Sequence, residues 1–368
     1  MNGENIITNS RMACARTCLR KHYFSYELGI RRVVDGQPLR MGAAIHEGLD
    51  ALAKGQDIAA AVATACRDYD TVPAGYDGHD WAIERETVIR MLFAYSKLTQ
   101  PLEIVATEKS FELPITNPDT GSTLRIFRVA GKIDKIVKLP DGRLAIMEHK
   151  TTSDNIAPES DYWSRLRIDQ QISLYLIAAR SMGYDCQTVL YDVLRKPALR
   201  AGKATLPESR KYTKEGKLYA TQRAVDETPE AFGDRMSADF QARPEYYFAR
   251  CEIARTEQDL LEYQDELCQQ AYTLRDRQLT AKDRERRGLD PAGAFFRNPA
   301  ACLFPFKCEY TPFCFGGNDA RQNLPEGFRR VENVHPELTG REATNATTNT
   351  GATVDRATTE PGNTAAVE

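Results

Sequence analysis

The spacing of apolar positions changes character along the chain, and the changes outline a mixed α/β protein. From Ile6 to Ile30 basic, polar and aromatic residues recur at helical spacing, and helical patterns follow over Gly42 to Ala53, Ile58 to Tyr69 and Trp81 to Leu98. Alternation then takes over and predicts strands at Ile104 to Leu113, Leu124 to Val137 and Arg143 to Lys150. A helix from Asp161 to Ser181 and a strand from Thr188 to Leu194 come next. Pro229 to Gln241 and Thr256 to Gln278 return to the helical period, with a strand over Tyr246 to Ile253 between them. This order predicts a mixed sheet flanked by helices.

The most informative pair of strands is a hairpin around Leu139-Pro140-Asp141-Gly142. A turn centred on Asp141 places Asp134 opposite Glu148. Their Cβ atoms would then lie about 5 Å apart, where like charges are destabilising unless a cation sits between them. Lys150, two residues beyond Glu148, points to the same face because strand side chains alternate. Two carboxylates and a lysine around one point outline a site for metal-assisted phosphodiester cleavage.

Composition narrows the setting. The chain has 368 residues with a net charge of -3, so a nucleic-acid partner is not announced by overall charge and any basic surface must be local. The start carries no apolar leader, and no stretch approaches the roughly 18 apolar residues of a membrane span, so a cytoplasmic protein is expected. In that compartment the 9 cysteines read as core residues or metal ligands rather than disulfides. Local basicity occurs over about 195–223, where Arg195, Lys196, Arg200, Lys203, Arg210 and Lys211 are followed by further cations and interleaved with Tyr212 and Tyr219. Cations neutralise phosphates and rings stack on bases, so this segment is a candidate nucleic-acid contact, with a solvated insertion as the plain alternative. Residues 336–368 are rich in Thr, Ala, Asn and Glu without an aromatic, which predicts a disordered tail after a linker over 321–335.

Three further elements bear on chemistry. Gln171 and Tyr175 stand four residues apart on one helix face, able to orient a water or phosphate and to donate a hydrogen bond. His46 lies between Ile45 and Leu49 on a helical pattern and is a candidate further ligand for a metal held by the carboxylates. Cys302, Cys308 and Cys314 recur at even gaps in an irregular loop containing Pro and Phe. Three thiols with one distant partner, Cys14 or Cys18, suit an iron–sulfur cluster better than zinc, whose ligands come more often in close pairs.

Taken in order, Cys18-Leu19-Arg20-Lys21-His22-Tyr23, Gly42-x3-His46, Gly131-x2-Asp134, Glu148-x-Lys150, Gln171-x3-Tyr175 and the closing cysteines resemble the PD-(D/E)xK nuclease superfamily. The likeness is to its RecB-like branch with a C-terminal iron–sulfur cluster, which includes AddB-type helicase-nucleases, CRISPR-associated RecB-like exonucleases and many phage-encoded proteins. The resemblance implies a restriction-endonuclease-like mixed β-sheet core within residues 1–320, a helical N-terminal region and a cysteine-clasped C-terminus. It implies that His46, Asp134, Glu148 and the His149 carbonyl bind Mg²⁺ or Mn²⁺, and that Lys150 positions the attacking water and stabilises the transition state. Gln171 and Tyr175 would support the site and contact DNA, and Cys18, Cys302, Cys308 and Cys314 would hold a [4Fe-4S] cluster, with zinc the less favoured occupant. The implied activity is a DNA exonuclease acting on single-stranded or end-containing DNA in recombination, repair or phage and CRISPR processing, in a phage or bacterial setting, with a helicase or recombination protein as partner. A structure-specific endonuclease and a non-catalytic nucleic-acid-binding protein of this fold are the alternatives. The sequence departs from the pattern at Ile133, where the family name has proline, and in the wide gap between Cys302 and Cys308. It carries no Gly-rich Walker loop and hence no motor signature.

Overall fold

The alternating segments assemble into one sheet, and the helical segments on either side cover its faces. The computed structural model describes residues 5–304, 307–315 and 323–339. In chain order, β1 (Ile6–Ile7), α1 (Asn9–Thr17), α2 (Leu19–His22) and β2 (Ile30–Arg32) lead into α3 (Gln37–Ala53), α4 (Ile58–Cys66) and α5 (Gly78–Leu98). The long strands β3 (Glu103–Thr116), β4 (Thr123–Lys138) and β5 (Leu144–Thr152) follow, then α6 (Asp161–Arg167), α7 (Gln170–Ser181) and β6 (Cys186–Arg195). The remaining elements are α8 (Pro229–Ala242), α9 (Pro244–Tyr247), β7 (Phe248–Ala254), α10 (Glu257–Arg286), α11 (Thr311–Cys314), β8 (Phe328–Arg330) and α12 (Pro336–Thr339).

Strand β4 organises the sheet. One of its edges pairs antiparallel with β3 along most of its length. The other edge is shared: β1 runs parallel to Arg128 and Val129, and β5 runs antiparallel to Lys135 through Lys138. Between those two stretches the edge has no strand partner among the described residues, and the sheet forks. β5 leaves β4 after Met147 but continues parallel beside β6 to Thr152, and β6 pairs antiparallel with β7. The fold is therefore the mixed α/β sheet with flanking helices that the pattern predicts.

Both faces of the sheet are covered, which is why β6 is buried at nearly every position rather than at alternate ones. Val189, Tyr191 and Val193 pack with Ile172 and Leu176 of α7 in one core, whereas Leu194 joins Ile45 and Leu49 of α3, Met91 of α5 and Phe232 of α8 in another. α3 thus lies across the sheet beside the fork, with His46 in its middle.

Several boundaries differ from expectation for local reasons. The helix expected over Asp161 to Ser181 is two helices, because Asp169 leaves the helix and caps the next one, accepting from the Gln171 N–H at 2.9 Å. The helical stretch from Ile6 to Ile30 is divided at Cys18, which has extended backbone, and ends in a π-turn over Tyr23–Glu27. The segment expected as a linker contains β8, paired with β2, and residues 336–339 form α12 instead of starting a tail. Residues 340–368 lie outside the described residues. Among the described residues no helix is long and apolar enough to cross a membrane.

Candidate active site

The hairpin register is the one the turn dictates: Lys138 faces Leu144, Val137 faces Ala145, Ile136 faces Ile146 and Lys135 faces Met147. The ladder stops there, one position short of Asp134 and Glu148. Past the fork Asp134 is tied to β5 differently, accepting from the backbone N–H of His149 at 3.2 Å. The two carboxylates therefore flank the opening between the strands instead of facing each other within the ladder.

Glu148 anchors a closed set of polar contacts. Its Oε1 accepts from Lys150 Nζ at 2.9 Å and from Gln171 Nε2 at 3.0 Å, while Gln171 Oε1 accepts from Lys150 Nζ at 2.6 Å. Gln171 Nε2 also donates to Tyr175 Oη at 2.8 Å. The break at Asp169 puts Gln171 in the first turn of α7, and Tyr175 follows one turn later on the same side. Glu148 Oε2 is buried without a hydrogen-bond partner. A buried, unpaired carboxylate oxygen is costly unless an additional group is meant to meet it, and a cation fits.

His46 comes from α3 on the other side of the opening, with Nδ1 3.6 Å from Asp134 Oδ2. Burial outweighs the pull of Glu148 and, with Lys150 and Lys135 nearby, pushes its imidazole down to about 4. His46 is therefore neutral near pH 7, the form in which a ring nitrogen can ligate a metal. Burial and then the Asp134 charge push Glu148 up to about 7, and burial also raises Asp134 despite the His149 N–H and the nearby lysines. Burial alone would lower Lys150, but Glu148 and Asp169 overcome it and hold the ammonium charged. His46, Asp134, Glu148, Gln171 and Tyr175 line a cavity of about 400 Å³ that also contains Thr8, Lys132 and Glu337, and Lys150 stands behind Glu148 and Gln171 rather than on the cavity wall.

Beside the opening lies a buried polar group that sequence reasoning missed, and its Lys135 and His149 also line the cavity. Lys135 Nζ lies 2.8 Å from His149 Nε2 and donates to the Leu49 carbonyl at 3.2 Å. His149 Nδ1 faces Asp192 Oδ2 at 3.4 Å, and Asp192 also accepts from Tyr95 and from Arg250. Burial keeps the His149 imidazole neutral. The His149 ring is thus engaged by Lys135 and Asp192, with the His46 ring 6.1 Å away, while its backbone N–H reaches Asp134 at the fork. The signal was Asp192 in the otherwise apolar run Thr188-Val189-Leu190-Tyr191-Asp192-Val193-Leu194, since a buried acid needs a partner. Lys132 and Glu108 were also missed; they form an ion pair at the cavity wall.

Of the basic segment, Arg195 stacks over the Tyr246 ring at 4.0 Å, Lys196 donates to the Pro38 carbonyl, and Arg210 donates to the carbonyls of Thr205 and Ala224. Lys203 pairs with Asp80 at 2.6 Å. Lys196, Arg200 and Lys203 line a separate groove of about 410 Å³, and Lys211 is exposed. Much of this basicity holds the insertion to the body of the protein.

The cysteines converge from both ends of the chain. Cys18 Sγ accepts from the Asn298 N–H at 3.4 Å, and the Cys308 N–H closes the loop onto the Cys302 carbonyl at 2.8 Å. Burial raises the Cys308 and Cys314 thiols against the Tyr310 N–H and Lys21 for the former and Arg20 for the latter, and the neighbouring thiols add smaller raising effects, Cys18 and Cys302 on Cys308 and Cys308 and Cys18 on Cys314. Cys14 belongs to the same neighbourhood, with burial, Cys18 and Cys308 raising its thiol to about 12 against the pull of Lys21 and Arg31. Aromatic packing supports the junction, with Tyr23 stacked on Phe295 and Phe24 on Tyr310. All nine cysteines are free thiols. Among the described residues no three His, Cys, Asp or Glu side chains stand in metal-holding geometry, at this junction or at the carboxylates.

A forked mixed sheet carrying two carboxylates and a lysine at the fork defines the class of the protein: a nuclease-type α/β fold. The profile of the PD-(D/E)XK nuclease superfamily matches residues 7–314, and the chain belongs to that superfamily. Membership implies a nuclease with a nucleic-acid substrate. The solved structure described as "Crystal structure of SSO0001" is similar over 66% of this chain and 77% of its own, at 12% identity and a TM-score of 0.22. Among curated proteins no match was found.

Proposed function

We propose that the protein is a Mg²⁺- or Mn²⁺-dependent DNA nuclease that digests single-stranded or end-containing DNA. The observation that carries this reading is Glu148: one carboxylate oxygen is held by Lys150 and Gln171, and the other is buried and unpartnered at the fork beside Asp134 and His46. In this reading His46, Asp134, Glu148 and the His149 carbonyl hold the metal, whose chemistry is to polarise the scissile phosphate and lower the pKa of water. Gln171 fixes Lys150 so that its ammonium meets the phosphate without reorganising, and Tyr175 fixes Gln171. The preference for ends rests on the resemblance of the motif order to RecB-like exonucleases.

The same reading assigns Cys18, Cys302, Cys308 and Cys314 to a structural [4Fe-4S] cluster, supported by their shared electrostatic neighbourhood at the junction of the chain ends. A cytoplasmic role in recombination, repair or phage and CRISPR DNA processing, beside a helicase or recombination protein, follows from it. The deciding experiment compares linear with circular single-stranded DNA, with Mg²⁺, with Mn²⁺ and with chelator. Digestion of linear DNA alone, abolished by chelator, is expected. Equal cutting of circles replaces the exonuclease with an endonuclease, and no cleavage under any condition removes the catalytic reading.

A further inference from the structure

We infer that the groove between the β2–β8 ribbon and the segment before α5 holds the phosphate backbone of the nucleic-acid strand on its way to the carboxylates. This rests on the nuclease reading above and assigns the substrate a second point of contact. The groove has a volume of about 520 Å³ and is lined by Arg31, Arg32, Arg40, Arg67 and Arg329 against Asp35 and Asp68. Arg40 is bidentate to Glu84 and Arg32 lies 3.3 Å from Glu309, so the charge of each is locally offset.

Arg31 and Arg329 are different. They stand directly opposite each other in the antiparallel pairing of β2 and β8, so both side chains leave the same face of the ribbon. Like charges so placed repel unless an anion lies between or before them. Arg31 is held by neutral acceptors, the carbonyls of Ser25 and Val334 at 2.6 and 3.0 Å, so its charge is oriented without being cancelled. Arg329 Nε is buried with no hydrogen-bond partner. Two planar guanidinium groups on one face, one with an unspent donor, match the oxygens of a phosphodiester.

The groove is also in the right place. Pro336 lines both it and the catalytic cavity, so the two adjoin there. α3 joins them as well, since Arg40 and His46 lie on the same helix about 9 Å apart along its axis.

The test is fluorescence anisotropy of the full-length protein with a labelled oligonucleotide, in chelator so that nothing is cut, across a salt series. For Arg329→Gln the affinity falls, and the slope of log K against log salt becomes shallower by about 0.7 for a single strand. Arg329→Lys restores the slope. Arg67→Gln, an exposed position on the other wall, gives the same change and serves if the Arg329 variant does not fold. An unchanged affinity and slope in folded Arg329→Gln and Arg67→Gln overturns the inference. Mn²⁺-dependent hydrolysis of bis(p-nitrophenyl) phosphate, too small to span the groove, separates the two readings. Loss of the groove contact leaves that rate at the wild-type value, whereas a wild type inactive on both the ester and DNA overturns the nuclease reading and this inference with it.

Discussion

The backbone N–H of His149 donates to Asp134 Oδ2 at 3.2 Å, at the point where β4 and β5 separate. This one bond holds an acid from one strand against the backbone of the other after the ladder has ended. The ring of the same residue is held by Lys135 Nζ, 2.8 Å from its Nε2. The cleft is open because the strands part, and it is ordered because this contact bridges them.

The first prediction concerns Lys150. Its ammonium is the cation fixed by both Glu148 and Gln171, so Lys150→Ala is expected to lower kcat on linear DNA by about 10²–10³-fold, the usual cost of removing one preorganised donor. Gln171→Ala acts only through Lys150 and Glu148 and is expected to cost less. Wild-type rates in Lys150→Ala would remove this residue from the mechanism.

Asp192 lies behind the site, where Tyr95 and Arg250 donate to it and His149 faces it. Truncation to Ala leaves Arg250 and Tyr95 without their buried acceptor, and breaking such a group typically costs about 3–5 kcal/mol. Urea unfolding of Asp192→Ala checks this. A loss below about 1 kcal/mol would mean the network contributes little to the fold.

How far the sequence went is clearest at the hairpin. The turn at Pro140-Asp141-Gly142 and the alternation on both sides determined the register from Lys135 to Lys138, because those cues are local. The fork was not legible, because it depends on β1 occupying the same edge of β4 and on β5 following β6, both long-range events. The capping role of Asp169 was written in the chain but lay inside an apolar pattern that reads as one continuous helix. Arg31 and Arg329 come from opposite ends of the sequence, and only folding makes them neighbours.

Glu227 provides a pH test away from the active site. Arg235 binds it through two contacts of 2.7 Å, the Gly202 N–H donates to it, and together they depress its carboxyl to about 2 from the ordinary 4.5. A depressed carboxyl adds stability that is present above the unfolded value and lost as pH falls through 4.5 toward 2. Resistance of the 200–227 segment to proteolysis with an acid-active protease should therefore fall progressively as pH drops from about 4.5 toward about 2. Glu227→Gln should show the weakened state already at pH 7, and equal cleavage of both proteins at every pH would contradict the assignment.

The cysteine junction yields a prediction with its own readout. Anaerobically purified protein is expected to be brown, with iron and sulfide in equal amounts, and Cys308→Ser should lose the colour. Cys251, which lies on β7, serves as the control whose replacement by Ser leaves the colour intact. Colourless protein with stoichiometric zinc would remove the cluster while leaving the carboxylate site untouched.

The last prediction concerns Gly131, the first residue of the motif that ends in Asp134. It faces Phe111 across the β3–β4 ladder, and a Cβ at this position would lie 2.5 Å from Phe111 Cζ. The Phe111 ring in turn meets Tyr175 edge-on at 6.0 Å, and Tyr175 accepts from Gln171. The absence of a side chain at Gly131 thus lets an aromatic lie across the strand and support the residues that hold Lys150. Gly131→Val forces that ring toward Tyr175, with an overpacking cost of about 1–3 kcal/mol and a fall in kcat that a purely structural lesion elsewhere would not produce. Gly131→Val combined with Phe111→Leu makes room and should recover part of both. If the double variant is no more stable or active than the single one, the close approach to Phe111 is not the reason for glycine here.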